Sequence, residues 1–541
     1  MNMKLIPHIV LMSALLLLIS CSKDFLKRVP EDFISPDNYL TNEAQAEILL
    51  NGVYNCLDFI GTTNENQRMF PVHFDTMSDD VFDAQPWHNT TEWARGQGNP
   101  NSPWARWKWD LNYQGVARAN VFLTSIAKVD LKSNNTKRYA GEAKFLRAWF
   151  YNDLATYYGD IPLILLPGDL SNSQPSRTPK VQVVAQILKD LDEAIEVLPL
   201  KYDNDRDRGR ITKGAAMGFK ARVLLYNSQW EKAAAAAKAV MDLGVYSLYP
   251  DYQGLFLEKN EASVDQEIML QVFYTPDIMP SFLYYPIGEY PAFSPTLELV
   301  NAYYMKNGLP IDNAKSGYDP KNPHMNRDPR LNATVFYPGC RYLNFMIKAP
   351  DPAVSKDSIL IPTWLLNVSG FRAKKHFDGT LTAATKEGRN KYFLRYAEVL
   401  LTYAEAENEA NGPANAYGAI DQLRRRVAMT TLTQAMPGMS KEEMRKVVRN
   451  ERRVELAFEG LRLPDIWRWR IGPEVMVNVH GYDNTKLITY PGDGMGTSNF
   501  WKYESLVIDN RQFNPARDYL WPIPQSEINS NPNMVQNPGY Y

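Results

Sequence analysis

Cysteine and histidine are scarce in this chain: 541 residues hold three cysteines, Cys21, Cys56 and Cys340, and six histidines. No Cys-x-x-Cys pair and no His-Glu-x-x-His occurs, so zinc chemistry has no sequence support and no metal site is expected. Cys56 and Cys340 are either one bridge or two buried small apolar residues, and a core of this size needs no disulfide staple. A charge excess is missing too. Lys plus Arg number 59 against 61 Asp plus Glu, which points neither to nucleic acid nor to a solvating acidic tail. There is no Gly-x-Ser-x-Gly nucleophile elbow. The run Gly492-Asp493-Gly494-Met495-Gly496 lacks the order of a phosphate cradle and has no following Lys. Beyond the first twenty residues no segment approaches the roughly 18 apolar residues needed to cross a bilayer.

What is present begins with an address. Lys4 precedes an apolar stretch from Ile9 to Ile19 that is short for a membrane span and has the shape of a signal peptide, residues 1–20. Its end, Leu18-Ile19-Ser20-Cys21, resembles a bacterial lipobox with Cys21 as the lipidated first mature residue. Ser22-Lys23-Asp24 resembles the short acidic export tag of surface lipoproteins. The mature chain is then held at the membrane by acyl chains alone. Aromatics are abundant at 12%, with 12 Trp and 31 Tyr. Flat rings of this kind pack cores, and they also stack on the apolar face of a pyranose.

Most of the chain has helical periodicity. Segments 43–59, 106–128, 137–158, 178–198, 212–227, 230–243, 392–411, 413–427 and 441–459 carry apolar residues at that spacing. Thr178-Pro179 is predicted to cap and open one helix. Gly244 stops another, and Ser440 and Gly460 bracket a third. Ala221 to Tyr226 followed by Trp230 to Ala233, and Leu400 to Ala406 followed by Ala416 to Ile420, look like tetratricopeptide hairpins of irregular period. Such pairs bury their faces by stacking into a rigid curved scaffold. The length allows one large domain or two to three ordinary ones. Two long aperiodic regions, about 248–361 and 470–541, are expected to be loop-rich insertions with a few short strands, packed on that scaffold.

Two acidic clusters invite a chemical reading. Asp203-Asn204-Asp205-Arg206-Asp207 resembles the start of a calcium loop, but Gly arrives one place late and Gly214 stands where Glu is required, so a solvated turn is expected. Asp75, Asp79, Asp80 and Asp83 could offer the carboxylate pair a glycosidase needs; the alternative is a solvated loop or a polar binding rim.

Four stretches carry a family resemblance. They are Glu142 to Tyr151 with Tyr158-Gly159-Asp160-Ile161-Pro162-Leu163; Arg395 to Leu401 with Ala404-Glu405-Ala406; Arg449 to Gly460 with Arg462, Asp465 and Arg468-Trp469; and Leu520-Trp521-Pro522-Ile523-Pro524 with Asn531 to Tyr540. In this order they resemble the SusD/RagB family. The resemblance implies a mostly α, tetratricopeptide-like superhelix with loop-rich, partly β insertions, an N-terminal part of about 21–240 and a C-terminal part of about 260–541. It implies a lipid-anchored outer-membrane protein at the cell surface that captures oligosaccharides, or in some members peptides, for a SusC-like TonB-dependent transporter. No catalysis and no cofactor are implied. Glu451, Arg452, Arg453 and Glu455 are read as a partly buried ion-pair network with Arg462 and Asp465.

The ligand residues of such a protein vary, so none is fixed by motif. The leading local candidate is the tryptophan-rich loop Trp87, Asn89, Trp93, Arg95, Asn101 and Trp104, where rings supply a stacking face and amides and Arg95 supply hydrogen bonds. Trp109, farther into the following helix, is predicted to be core. The second candidate is Tyr284, Tyr285 and Tyr290 in the middle region. A peptide-binding lid, a surface hydrolase and a transporter-assembly subunit without a ligand stand as rival readings.

Overall fold

The computed structural model describes residues 40–57, 71–129, 135–168, 173–261, 263–275, 292–337, 340–342, 345–346, 368–377, 388–482, 487–490, 498–501 and 503–540. The signal peptide, Cys21, the glycine loop 492–496 and the three tyrosines Tyr284, Tyr285 and Tyr290 lie outside them.

The scaffold is a succession of packed helices. In chain order they are α1 (Glu43–Tyr54), α2 (Pro71–Thr76), α3 (Pro103–Ile126), α4 (Asn135–Tyr158), α5 (Lys180–Val197), α6 (Lys213–Tyr226), α7 (Trp230–Asp242), α8 (Tyr396–Asn411), α9 (Ala416–Arg426), α10 (Lys441–Glu455) and α11 (Arg462–Trp469). α1 packs on α3, α3 on α4, α4 on α5, α5 on α6, α6 on α7, α7 on α8, and α8 on both α9 and α10. Their facing stripes merge into one continuous apolar core. α3 and α4 close tightly because Gly115 faces Phe150: a Cβ there would lie 2.5 Å from the ring. The predicted caps at α10 and α7 form. The Ser440 side chain accepts from the Glu443 N–H while Glu443 reaches back to the Ser440 backbone, and Gly244 takes φ 63° after α7.

Two helix starts differ from the sequence reading. Residues 391–395 are not helix but strand β4 (Lys391–Arg395), paired antiparallel with β2 (Ile268–Val272). Five residues of alternating burial are too few to stand out from the helical period that follows. Thr178 does not cap α5 either; it pairs across with Ile161, and Pro179 occupies the cap position.

The insertions are short-stranded. Among the described residues every sheet has two strands, including β1 (Val81–Asp83) with β3 (Phe293–Pro295) and β5 (Asn478–Tyr482) with β6 (Ser505–Asn510). A second apolar cluster, including Val81, Phe293, Tyr303, Phe371, Phe458 and Tyr482, holds them against α10. The C-terminal stretch returns to the first helices, where the Trp521 N–H donates to the Tyr157 carbonyl at 2.7 Å and Asn537 donates to the carbonyls of Tyr158 and Trp521. Cys56 and Cys340 are both buried and free, so of the two readings the unbridged one holds. Burial pushes the Cys340 thiol up to about 11.

Charged residues stitch the halves together from inside. Glu455 accepts from Arg426, Arg395 and Arg330 at 2.6, 2.7 and 3.0 Å. Arg452 joins Glu398 to Asp465, and Arg222 on α6 also reaches Glu398. This is the ion-pair network read from the third motif, more deeply buried and wider than the sequence indicated. Glu459 lies at its edge, paired with Arg395 and Lys375. Burial alone would raise its pKa, but those two cations outweigh burial and hold it at about 2, below the ordinary 4.5. A carboxyl depressed on folding stabilises above its unfolded pKa and stops doing so as pH falls through its folded value. Stability is therefore expected to drop between about pH 5 and pH 2, with Glu459→Gln showing a shallower drop in urea midpoints over that window. Parallel curves for both proteins would contradict this.

Candidate ligand-binding site

The tryptophan loop is built on one buried carboxylate. At the end of β1, Asp83 accepts from the Gln85 N–H at 2.9 Å and the Thr90 hydroxyl at 2.6 Å and pairs with the His88 ring at 2.9 Å. These bonds fold residues 85–90 into a tight turn. Asn89 sits in the left-handed region at φ 56°, which asparagine tolerates, and its amide donates to the Trp87 carbonyl at 3.1 Å. The turn thus presents Trp87 outward, 62% exposed. Among the described residues it is the one aromatic side chain of the strongly exposed large hydrophobics.

The other predicted ring positions do different work. Trp104 is 3% exposed and donates through its indole to the His88 carbonyl at 2.6 Å. It props the turn from beneath and offers no face to a ligand, which corrects the sequence reading. Trp93 is partly committed inside the protein. Its ring stacks on Trp521 with centroids 4.3 Å apart, and Gly98 presses so close that a Cβ would lie 2.4 Å from it. The ring is half-buried, and its indole N–H is buried without a partner among the described residues. Trp109 is buried at 3%, as predicted.

Arg95 and Asn101 are exposed. Arg95 is anchored through Nε to Asp509 on β6 at 2.8 Å, which leaves part of its guanidinium for other partners. Asn101 lies just ahead of α3, its backbone N–H held by the Asn99 side chain at 3.0 Å. Trp87, Asn89, Arg95 and Asn101 therefore remain as outward groups on one pinned loop. The Ala84 N–H donates to the Ala292 carbonyl at 2.8 Å, so the middle region rejoins the described chain beside this turn.

The aspartate cluster is not a solvated rim but a buried, partnered group. Asp75 accepts from the Gly460 N–H. Asp79 pairs with Arg453 and Arg462 at 2.8 and 2.7 Å, and Asp80 pairs with Arg453; all are buried. Burial raises the Asp75 carboxyl well above its ordinary range, against the opposing Gly460 N–H. For Asp79, Arg453 and Arg462 overcome burial and hold it far below. The 203–207 segment is a short turn capped by Asn204, with Arg206 paired to Glu47 and Arg210 to Asp207. Among the described residues no cluster of three or more His, Cys, Asp or Glu could hold a metal.

Sequence reasoning did not find Trp521 and Asp509 as supports of the loop. They lie more than 400 residues downstream, and nothing local ties them to the loop. An exposed indole beside amides and a guanidinium on a rigid turn can stack on an apolar ring face and hydrogen-bond hydroxyls.

Residues 259–540, just over half the chain, match the family model described as the SusD family, and residues 32–225 match one described as starch-binding, associating with the outer membrane. The SusD-like protein P25 of Formosa agariphila is 25% identical over 96% of both chains. A crystal structure of a SusD-like protein from Bacteroides fragilis superposes with TM-score 0.76 at 26% identity, covering 95% of this chain and 100% of that one. A SusD-like carbohydrate binding protein from the same organism gives TM-score 0.75 at 26% identity, over 91% and 99%.

Proposed function

This chain belongs to the SusD family, and from that premise we propose that it is a lipid-anchored protein of the outer membrane that binds carbohydrate through the Trp87 turn and passes it to a SusC-like TonB-dependent transporter without catalysis. The observation that carries this reading is Trp87, an indole 62% exposed on a turn that Asp83, His88 and Asn89 hold fixed. A ring that is already rigid loses little entropy on stacking, so more of the contact energy is left for affinity. Asn89, Arg95 and Asn101 supply the polar rim. The absence of catalysis is supported by the Asp75–Asp83 cluster, whose carboxylates are committed to arginines, backbone N–H groups and His88.

Titration calorimetry against a glycan panel tests the reading. Trp87→Ala is expected to weaken binding about tenfold, on the order of 1.4 kcal/mol, with the melting temperature unchanged. Undiminished affinity would remove Trp87 from the site. For the anchor, Cys21→Ser is expected to abolish incorporation of labelled palmitate and to move the protein out of the membrane fraction; retained label would refute Cys21 as the acylated residue.

A further inference from the structure

A groove of about 330 Å³ lies between α4, the start of α5, the end of α11 and the C-terminal segment. Its walls carry Lys180, Arg468, Arg470 and Arg517 and no Asp or Glu, in a chain of net charge −2. Two of these cations are neutralised from behind: Arg468 by Glu405 at 2.6 Å and Asp465 at 2.7 Å, and Arg517 by Asp518 at 2.6 Å. The other two are not. Arg470 leaves the end of α11 with φ 58° and lies over the Tyr519 ring at 3.5 Å, with no acidic partner among the described residues. The Lys180 ammonium likewise has no ion pair or hydrogen bond among the described residues. Asp160 binds the Lys180 backbone N–H at 2.7 Å and acts on the ammonium only through space, while burial pulls its pKa below the ordinary value. Asn152 and Thr156, one turn apart on α4, also line the groove, and neither side chain has a hydrogen-bond partner among the described residues.

This groove adjoins the Trp87 loop through a shared strip of chain. Arg517 lines the groove and donates to the Gly96 carbonyl. Leu520 lines it while its neighbour Trp521 carries Trp93. Two unpaired cations beside free amide and hydroxyl groups match a sugar that bears an anion. The guanidinium and the ammonium would bind the charge, Asn152 and Thr156 the hydroxyls. We propose that the groove is a second subsite for an acidic sugar unit, a uronate or a sulfate ester, of the carbohydrate that Trp87 grips. The proposal rests on the carbohydrate-binding reading above.

The test is calorimetry on the mature chain with an oligogalacturonate, a sulfated galactan oligosaccharide and a neutral galactan oligosaccharide of equal length, at low and high salt. One or both charged oligosaccharides are expected to bind at least tenfold tighter than the neutral one, with the gap narrowing in high salt. Lys180→Gln and Arg470→Gln are each expected to remove about tenfold of that affinity and to leave neutral binding unchanged. Arg425→Gln, at an exposed cation on α9, is the charge control and is expected to change nothing. Which of the two charged ligands gains tells carboxylate from sulfate. Equal binding of charged and neutral oligosaccharides overturns the groove assignment, as do Gln variants that keep wild-type affinity for the charged ones. Neutral binding that is intact and sensitive to Trp87→Ala shows that the groove alone has failed. Binding of no sugar at all overturns both readings.

Discussion

Glu455→Gln is expected to destabilise the fold by about 3–5 kcal/mol. Glu455 is fully buried and faces three guanidiniums, those of Arg330, Arg395 and Arg426, whose side chains are 0%, 1% and 2% exposed. The substitution keeps shape and volume, so no cavity confuses the result. It removes the negative charge that makes three adjacent cations tolerable, and it turns an amide N–H toward groups that can only donate. Arg330 keeps Asp328 and Glu451, but Arg395, Arg426 and Lys375 are left with only Glu267 and Glu459 between them, an excess positive charge in a buried region. The network joins the middle insertion to α8–α10, so the loss should be felt as global unfolding. Urea midpoints measure it, with Arg106→Ala as a control. The Arg106–Asp110 pair is 65% and 49% exposed, and its loss should leave the midpoint where it is. A Glu455→Gln midpoint equal to wild type would mean that the buried network carries no net stability.

Trp521→Ala is expected to cost about 3–5 kcal/mol and to weaken carbohydrate binding as well. Trp521 is 2% exposed. It lies under Trp93 at 4.3 Å and against Tyr157 at 4.7 Å, where the C-terminal stretch meets the first helices. Its removal opens a cavity that a packed helix interface cannot collapse into, and it takes the floor from the loop that carries Trp87. Trp521→Phe should recover most of the stability, because it keeps a ring on both contacts. Thermal or urea unfolding reads the first effect and titration calorimetry the second. A variant that is destabilised but binds sugar with wild-type affinity would show that loop position does not depend on this stack.

Much of the scaffold was legible because helices such as α7 and α10 carry their own start and stop chemistry within a few residues. Ser440 with Glu443 and the glycine after α7 are local signals. β4 was not legible, since its partner β2 lies more than a hundred residues earlier and five alternating residues vanish inside a helical period. The site was half legible for the same reason. That loop 87–104 carries rings could be read directly. Which ring faces water could not, because Trp93 is claimed by Trp521 and Trp104 by the carbonyl of His88. The aspartate cluster looked solvated for want of its partners, Arg453 and Arg462, more than 370 residues away. The cations of the groove are dispersed in the same way, between Lys180 and Arg517, and no window of sequence brings them together.

The central claim is that a fixed indole at the outer face of the loop grips a sugar ring. A crystal structure of the mature chain with its tightest-binding oligosaccharide tests it most directly. A pyranose ring lying flat on Trp87 at van der Waals distance, about 4 Å, is the expected result. A sugar seated elsewhere, with the Trp87 ring left in solvent, would contradict it.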